Sequence, residues 1–517
     1  MTSLLRKCWR AFFLADPACT PTCVLGLVAL LWLPFSTQYP FGWDQGVFAW
    51  AGDAINRGDM PYRDVWEVKG PAAYYGYALA ERLFGHNLWG IRLFDGVLLI
   101  LGSWRMFAMV SSFAGRVFGL WASLFLAVWY AAGSYWHTAQ PDAWAAIAIL
   151  SAVSILSVAG RERTVLRHGM AGLLIGIAVL IKPLFGVFLA VPMLMAWDNA
   201  SAASSATKIS AILAGFFAPM FAVMIYFSAS GAAGEFVEQY LVYTSVIYSS
   251  SARSSPFSVV KNAITNLPRA SIFLPVALLG LGGLREIYGG SRRQAIILGT
   301  WLLLALICVG AQNRFYAYHW IPVYAPLIAL AVSFLGSLRI PRPNRRVQSL
   351  KWALLFFATA AACAPPAWEM IRWVGFVEGV VGRDVYNAAF GNQQWEVEAA
   401  AYIRSHSNDS DRVGIWGFNT TALYLSGRKN ATRFGNSTAL LVGETTPLRA
   451  RYRAEYLKAL RDVRPVYMIV GPQPEGVLRR QYSSADFPDV DDFLGRHCRI
   501  DMTFGPIKLF RCFGGGG

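Results

Sequence analysis

Charge is what this 517-residue chain has least of: 15% of its residues are Asp, Glu, Lys or Arg, against 55% hydrophobic residues. Soluble globular chains average about 25% charged and about 45–50% apolar residues, so a hydrated cytosolic enzyme and a disordered chain are both excluded. Cysteine is scarce as well, at seven residues, too few for a disulfide scaffold. No internal repeat of the kind that builds many transporters is visible. A Walker loop and a dinucleotide fingerprint are also missing.

Long apolar runs are what the chain has instead. A helix needs about 20 apolar residues to cross a bilayer, and such segments recur from residue 20 to about residue 373. With Thr20 to Ser36 as the first, further spans are predicted near 88–112, 118–132, 142–160, 169–181, 183–197, 209–229, 270–284, 295–310, 320–337 and 352–373, eleven in all. The formal charge of +16 could suggest nucleic acid in a soluble protein. Its placement argues otherwise. Arg161, Arg163, Arg167, Arg285, Arg292, Arg293, Arg339, Arg342, Arg345, Arg346 and Lys351 crowd the loops on the N-terminal side, which the positive-inside rule places in the cytoplasm. An odd number of spans then leaves the C-terminus exported, and no nucleic-acid partner is implied. The segment from Leu4 to Leu14 is short and broken by Arg6, Lys7 and Arg10, so the first span is expected to insert uncleaved.

Ordinary charge density returns after Trp373. The predicted organisation is a membrane domain over 1–373, a soluble exported domain over 374–513, and a glycine tail or scar at 514–517. Asn392 to Ser407 and Pro447 to Val463 read as amphipathic helices, and Arg412 to Phe418 and Val466 to Gly471 as short buried strands, which predicts a small α/β domain. The fold class is therefore mainly α, polytopic and membrane-embedded. Cys498 and Cys512 flank two strand-like runs, His497 to Met502 and Ile507 to Phe513, that would fold about Gly505 as a hairpin. They read either as a disulfide in an oxidising compartment or as two free core thiols. Asn408, Asn419, Asn430 and Asn436 stand in Asn-x-Ser/Thr contexts, which matter only in a eukaryotic secretory protein.

Two exported loops stand out. The first, 37–87, holds Val47, Phe48, Ala51, Ala54 and Ile55 at helical spacing, then a second helix opening at Pro71 and running to Phe84. Two interfacial helices joined by the stretch Arg57 to Gly70 would form a platform at the membrane surface. The second loop, Gly231 to Pro268, carries Glu235, Glu238, Tyr240, Tyr243, Tyr248 and a serine run from Ser249 to Ser258. It reads as a flexible linker or as a lid.

Several residues carry both a bland and a chemical reading. Asp44 is either the cap of a helix starting at Gln45 or a carboxylate base at the membrane surface. Lys69, followed by Gly70 and Pro71, either snorkels to headgroups or faces an anion together with a helix N-terminus. Glu67 is a second carboxylate, a metal ligand or a plain surface residue. Lys182, in Val179-Leu-Ile-Lys-Pro-Leu-Phe, is an ionisable group inside apolar sequence and so a functional candidate, or again a snorkelling lysine. In Asn313-Arg-Phe-Tyr-Ala-Tyr-His-Trp, Arg314 has the planar fork that clamps phosphate, and His319 suits phosphate or a metal or is simply interfacial. Asp44, Lys69, Lys182, Arg314 and His319 all fall at exported span ends in the predicted topology. Several cations with one carboxylate suit an anionic leaving group and a nucleophile that must lose a proton, and do not suit a cation pore.

The order of these features resembles a known family. An early Asp44 in the first exported loop is followed by two interfacial helices and Trp66-Glu-Val-Lys-Gly-Pro-Ala-Ala-Tyr-Tyr. Next come Gly172-Leu-Leu-Ile-Gly-Ile-Ala-Val-Leu-Ile-Lys-Pro, Arg314-Phe-Tyr-Ala-Tyr-His-Trp-Ile-Pro and a C-terminal α/β domain. This is similar to the GT-C membrane glycosyltransferases, particularly the branch of protein mannosyltransferases and bacterial aminoarabinose and lipopolysaccharide-core sugar transferases.

The resemblance implies an inverting transfer of a sugar from a polyprenyl-phosphate donor to a glycan, lipid or protein acceptor, at the periplasmic face of a bacterial inner membrane. It implies that Asp44 acts on the acceptor hydroxyl and that Lys69 meets the donor phosphate, with Lys182, Arg314 and His319 around it. Glu67, Tyr74, Tyr75, Tyr316 and Tyr318 are further candidates for substrate or metal contacts. No cofactor is required, and a divalent metal is left open. Many relatives have Asp-Glu where this chain has Asp44-Gln45. The aminoarabinose branch has adjacent Glu-Lys where this chain has Glu67-Val68-Lys69, which argues against that sugar. The competing classes are a lipid-linked sugar transporter or flippase and a non-catalytic assembly subunit.

Overall fold

The computed structural model describes residues 32–158, 164–197, 201–248, 255–266, 274–336, 345–390, 394–442, 446–472 and 486–513, with positions 25, 26 and 29. Most of the first expected span, Cys8, Cys19, Cys23, Arg161, Arg163, Arg339, Arg342, Ser249 to Ser254 and the glycine tail lie outside the described residues. The chain gathers into two compact units. One comprises Met1–Gln38, Arg92–Ala222 and Ser254–Val374, the other Tyr39–Ile91, Val223–Arg253 and Gly375–Gly517.

The first unit is helical. Gly90–Ala114, Arg116–Ala132, Pro141–Ser157, Thr164–Val179, Pro183–Ala196, Ala202–Ala229, Leu274–Gly290, Arg292–Gln312, Ala317–Phe334 and Arg345–Val377 each overlap one of the second to eleventh expected spans. Among the described residues, four of them, Gly90–Ala114, Ala202–Ala229, Arg292–Gln312 and Ala317–Phe334, are long and apolar enough to cross a membrane. Phe217, Phe221 and Ile225 stand exposed on the Ala202–Ala229 helix, as a helix facing hydrocarbon requires. Where helices meet, small residues set the approach. A Cβ on Gly172 would lie 2.0 Å from the Ile212 carbonyl oxygen, so the Thr164–Val179 and Ala202–Ala229 backbones pack together with nothing larger between them. The buried Asp95 accepts from Tyr130 Oη at 2.8 Å and from Trp144 Nε1 at 2.8 Å.

The second unit combines the loop after the first span, residues 223–253 and the C-terminal α/β domain. Both expected loop helices form, as Trp43–Asn56 and Pro71–Phe84, the latter with Pro71 in its first turn. The C-terminal sheet has five strands, β1 Arg412–Trp416, β2 Lys429–Asn430, β3 Tyr467–Val470, β4 Cys498–Phe504 and β5 Ile507–Cys512, in the order β2-β1-β3-β5-β4. β1 is parallel to β2 and β3, and β3, β5 and β4 are antiparallel. The parallel centre is apolar and buried, as with Val413, Ile415, Met468 and Ile469, while β4 is an exposed edge. The flanking helices are Gln394–Ser405, Thr420–Ser426, Pro447–Val463 and Pro488–His497. The hairpin turns at Gly505, whose φ of +52° suits glycine. It sets Cys498 opposite Cys512, and the two are joined by a disulfide.

The loop read as a linker or lid is helical over much of its described part. Ala233–Phe236 is a helical turn, and Val237–Tyr248 continues it with wider π-type hydrogen bonds. Tyr243 is buried in the C-terminal domain's core, 5.1 Å edge-on from the Trp66 ring, which in turn meets Tyr452 at 5.8 Å. Of the four asparagines in Asn-x-Ser/Thr contexts, Asn419 and Asn436 are buried.

Candidate active site

Asp44 lies in the first turn of the Trp43–Asn56 helix, and the cap is the extended Gly42, which offers no side-chain bond. Asp44 is thus not the cap that the sequence suggested. A carboxylate in a first turn is favoured by the helix dipole. The helix is anchored from behind. A Cβ on Gly46 would lie 2.3 Å from Thr421 Oγ1 and 2.9 Å from the Thr421 amide nitrogen, so this helix rests directly on the start of Thr420–Ser426. Trp43 meets Phe418 edge-on at 6.3 Å, and Gln45 is fully buried.

Beside that helix the segment from Tyr62 to Tyr74 closes a hydrogen-bond circuit. Tyr62 Oη donates to the Lys69 carbonyl at 2.8 Å, the Lys69 amide donates to Tyr74 Oη at 2.8 Å, and Tyr74 Oη donates to Glu67 Oε2 at 2.7 Å. The Glu67 amide donates to Gln239 Oε1 at 3.2 Å, and Gln239 Nε2 returns to the Tyr62 carbonyl at 2.6 Å. Tyr62 holds a left-handed φ of +70° within the loop. Glu67 is therefore not a surface residue but is 7% exposed. Burial pushes its carboxyl above the usual range, against the pull of the Tyr74 hydroxyl and the Lys69 charge, and the Asp44 carboxylate adds to the upward push. Asp44, Glu67 and Lys69 thus share one electrostatic environment. Tyr75, one residue on, faces elsewhere and shares a 2.8 Å hydrogen bond with Tyr226 Oη.

The other expected residues belong to the first unit. Lys182 sits at the break between Thr164–Val179 and the tight turn Pro183–Leu189. Its ammonium pairs with Asp142 Oδ1, donates to Gln312 Oε1 at 2.7 Å and lies 5.5 Å from the Phe185 ring centroid. It does not snorkel: its side chain is 14% exposed and Asp142 is 1% exposed. Arg314 follows Asn313, which ends its helix in the left-handed region at φ +46°, and precedes Phe315 at φ +50°. His319 is buried in the turn Ala317–Trp320, its ring 5.2 Å from Tyr316 and 4.7 Å from Tyr318.

Asp44, Glu67, Lys69 and Tyr74 are thus gathered in one unit, and Lys182, Arg314, His319, Tyr316 and Tyr318 in the other. Sequence reasoning missed Asp142, Gln312, Tyr62 and Gln239. Only Asp142 carried a local signal, as an acid beside Pro141 at the head of an apolar helix. Glu67 belongs to no group of three residues with metal-ligand spacing among those described; Asp53, Glu81 and His86 do.

The sequence signature of the dolichyl-phosphate-mannose-protein mannosyltransferase family matches residues 68–227. No curated protein sequence matches the chain. Among solved structures, ArnT from Cupriavidus metallidurans bound to undecaprenyl phosphate is similar at 14% identity and a TM-score of 0.59, covering 95% of this chain and 97% of that one. The same protein in its apo state gives the same figures. The oligosaccharyltransferase of Archaeoglobus fulgidus in its apo form is similar at 14% identity, with a TM-score of 0.49, covering 87% of this chain and 69% of that one. The chain is an integral membrane protein that shares its overall fold with ArnT, and its segment 68–227 is similar to the mannosyltransferase family.

Proposed function

We propose that this protein transfers a sugar from a polyprenyl-phosphate carrier to an acceptor hydroxyl at the exported face of the membrane. The observation that carries this reading is Asp44 at the head of an anchored helix, sharing an electrostatic environment with Lys69 and the buried Glu67. It is supported by a fold in common with ArnT, a protein solved with undecaprenyl phosphate. In the proposed orientation the N-terminus is cytoplasmic, and 374–513 together with the loop 37–87 is exported.

In this mechanism Asp44 accepts the proton of the acceptor hydroxyl as its oxygen attacks the anomeric carbon. The bond from that carbon to the phosphate oxygen breaks in the same step, so the anomeric centre inverts and the electron pair leaves with the polyprenyl phosphate. Lys69 stabilises the growing phosphate charge, and electrostatic stabilisation of this kind is often the largest catalytic contribution. Lys182, already neutralised by Asp142, brings no net charge and is reassigned to holding its turn in place. Glu67, held by Tyr74, fixes the loop that carries Lys69.

The test is release of free polyprenyl phosphate from a panel of polyprenyl-phosphate sugars, with an envelope extract as acceptor, comparing the wild type with Asp44→Asn. Turnover that disappears in the variant while donor binding persists supports the transferase and names its sugar. A folded wild type that turns over no donor favours a lipid-linked sugar transporter or an assembly subunit.

A further inference from the structure

The Trp43–Asn56 and Pro71–Phe84 helices carry a second cluster that the proposed transfer does not use. Asp53 is on the last turns of the first helix, Glu81 is near the end of the second, and His86 follows one residue after Gly85, whose φ of +84° turns the chain back. One ligand atom from each, a carboxylate oxygen or a ring nitrogen, lies within 4.8 Å of the other two.

The orientation of the His86 ring separates this cluster from a chance meeting of charges. Nε2 is 2.9 Å from the Tyr424 carbonyl oxygen, which can only accept, so the proton of a neutral ring sits on Nε2. The lone pair of Nδ1 then points at Glu81 Oε1, 2.6 Å away, with Asp53 Oδ1 at 3.8 Å. Either an extra proton or a cation must fill the space between a lone pair and two carboxylates. The remaining oxygens are held as outer ligands hold a metal site. Asn56 Nδ2 donates to Glu81 Oε2 at 3.1 Å and to the Ala78 carbonyl at 3.0 Å, and Arg57 pairs with Asp53 while donating to the Gly427 carbonyl at 3.2 Å. A cavity of about 400 Å³, lined by the same three residues with Arg57, Arg82 and Gly427, opens onto them. It provides an entry path and room for water in the remaining positions.

We propose that Asp53, Glu81 and His86 bind a divalent transition metal of the zinc class, through His86 Nδ1 and one oxygen of each carboxylate. One imidazole with two carboxylates suits zinc. Metal–ligand bonds of about 2.0–2.2 Å place neighbouring donors roughly 3.3 Å apart in a tetrahedral site, a value that the 2.6 and 3.8 Å separations bracket. The metal would brace the two helices of the first loop against the Tyr424 to Gly427 turn of the C-terminal domain.

The experiment is equilibrium dialysis of the full-length protein in nanodiscs, stripped with chelator and returned to zinc sulfate, with metal counted per chain. Cobalt(II) absorption in the visible range serves as a second readout. The wild type should hold about one equivalent more than His86→Ala and than Glu81→Gln, the latter keeping the shape of the side chain and its bond to Asn56. Thermal melts establish that each variant is folded. A wild type that binds no zinc at saturation, or variants that bind as many equivalents as it does, overturns the proposal and leaves the cluster as an ion-pair clasp closed by Arg57 and a protonated His86.

Discussion

Tyr74 donates its single hydroxyl proton to Glu67 Oε2, 2.7 Å away, and accepts the Lys69 amide proton at 2.8 Å. One hydroxyl therefore ties a buried carboxyl to the backbone of the residue proposed to meet the donor phosphate. Removing it in Tyr74→Phe leaves both partners without this bond, at a cost of about 1–3 kcal/mol for each buried group left unsatisfied. The variant is expected to melt at lower temperature and to lose donor affinity more than Tyr75→Phe does. Donor titrations on the two variants check this.

Glu67 also sets a pH dependence. Its folded carboxyl titrates above the ordinary value because of burial, so between the two values the folded protein holds a proton that the unfolded chain has released. Stability falls with rising pH over that window. Glu67→Gln is expected to flatten this part of a profile of melting temperature against pH while leaving the Tyr74 hydroxyl an acceptor. A slope unchanged in the variant would assign it to another group.

Glu396 offers a second case. It is 2% exposed and accepts from Asn419 Nδ2 at 3.0 Å, and burial pushes its carboxyl up to about 7 despite that hydrogen bond. By the same sign argument the C-terminal domain should lose about 3 kcal/mol between the ordinary carboxylate value and pH 7. Glu396→Gln should remove most of that loss, so that wild type and variant diverge in thermal melts between pH ~4.5 and neutral pH, stay apart above it, and converge below pH ~4.5.

Lys182 and Asp142 call for a double-mutant cycle. Breaking a buried pair by removing one partner costs about 3–5 kcal/mol, whereas replacing both by apolar residues is often close to neutral. Lys182→Met and Asp142→Leu are each expected to lower stability strongly, and the double variant to recover much of the loss. If the double variant retains turnover, Lys182 acts by holding its turn and not by contacting phosphate.

How much of this was legible depended on sequence distance. The Pro447–Val463 helix, the helix opened by Pro71 and the hairpin that pairs Cys498 with Cys512 follow from local signals: a proline in the first turn, apolar spacing, and a glycine at the bend. Asp44 and Lys69 drew attention because charges are rare in this chain. The circuit around Glu67 was out of reach because Gln239 lies 172 residues away, and nothing at position 239 distinguishes it from any polar residue of a loop. The core position of Tyr243 was out of reach for the same reason: its neighbours Trp66 and Tyr452 come from distant segments, and composition alone left its loop open between a linker and a lid. His86 drew no notice either, since its partners Asp53 and Tyr424 meet it only in three dimensions.

Gly46 tests whether the C-terminal domain places Asp44. A Cβ added there meets both the Thr421 hydroxyl and the Thr421 amide nitrogen. The hydroxyl can be removed by mutation, but the backbone cannot. Gly46→Ala should therefore push the Trp43–Asn56 helix away from Thr420–Ser426, at a cost of about 1–3 kcal/mol for overpacking, and carry Asp44 with it. The expected signature is a fall in kcat with donor KM little changed, because Lys69 is on a different segment. Adding Thr421→Ala should restore only part of the activity, since the amide contact remains. Full turnover in Gly46→Ala would mean that the proton acceptor does not depend on this contact, and that the α/β domain serves the reaction in some other way.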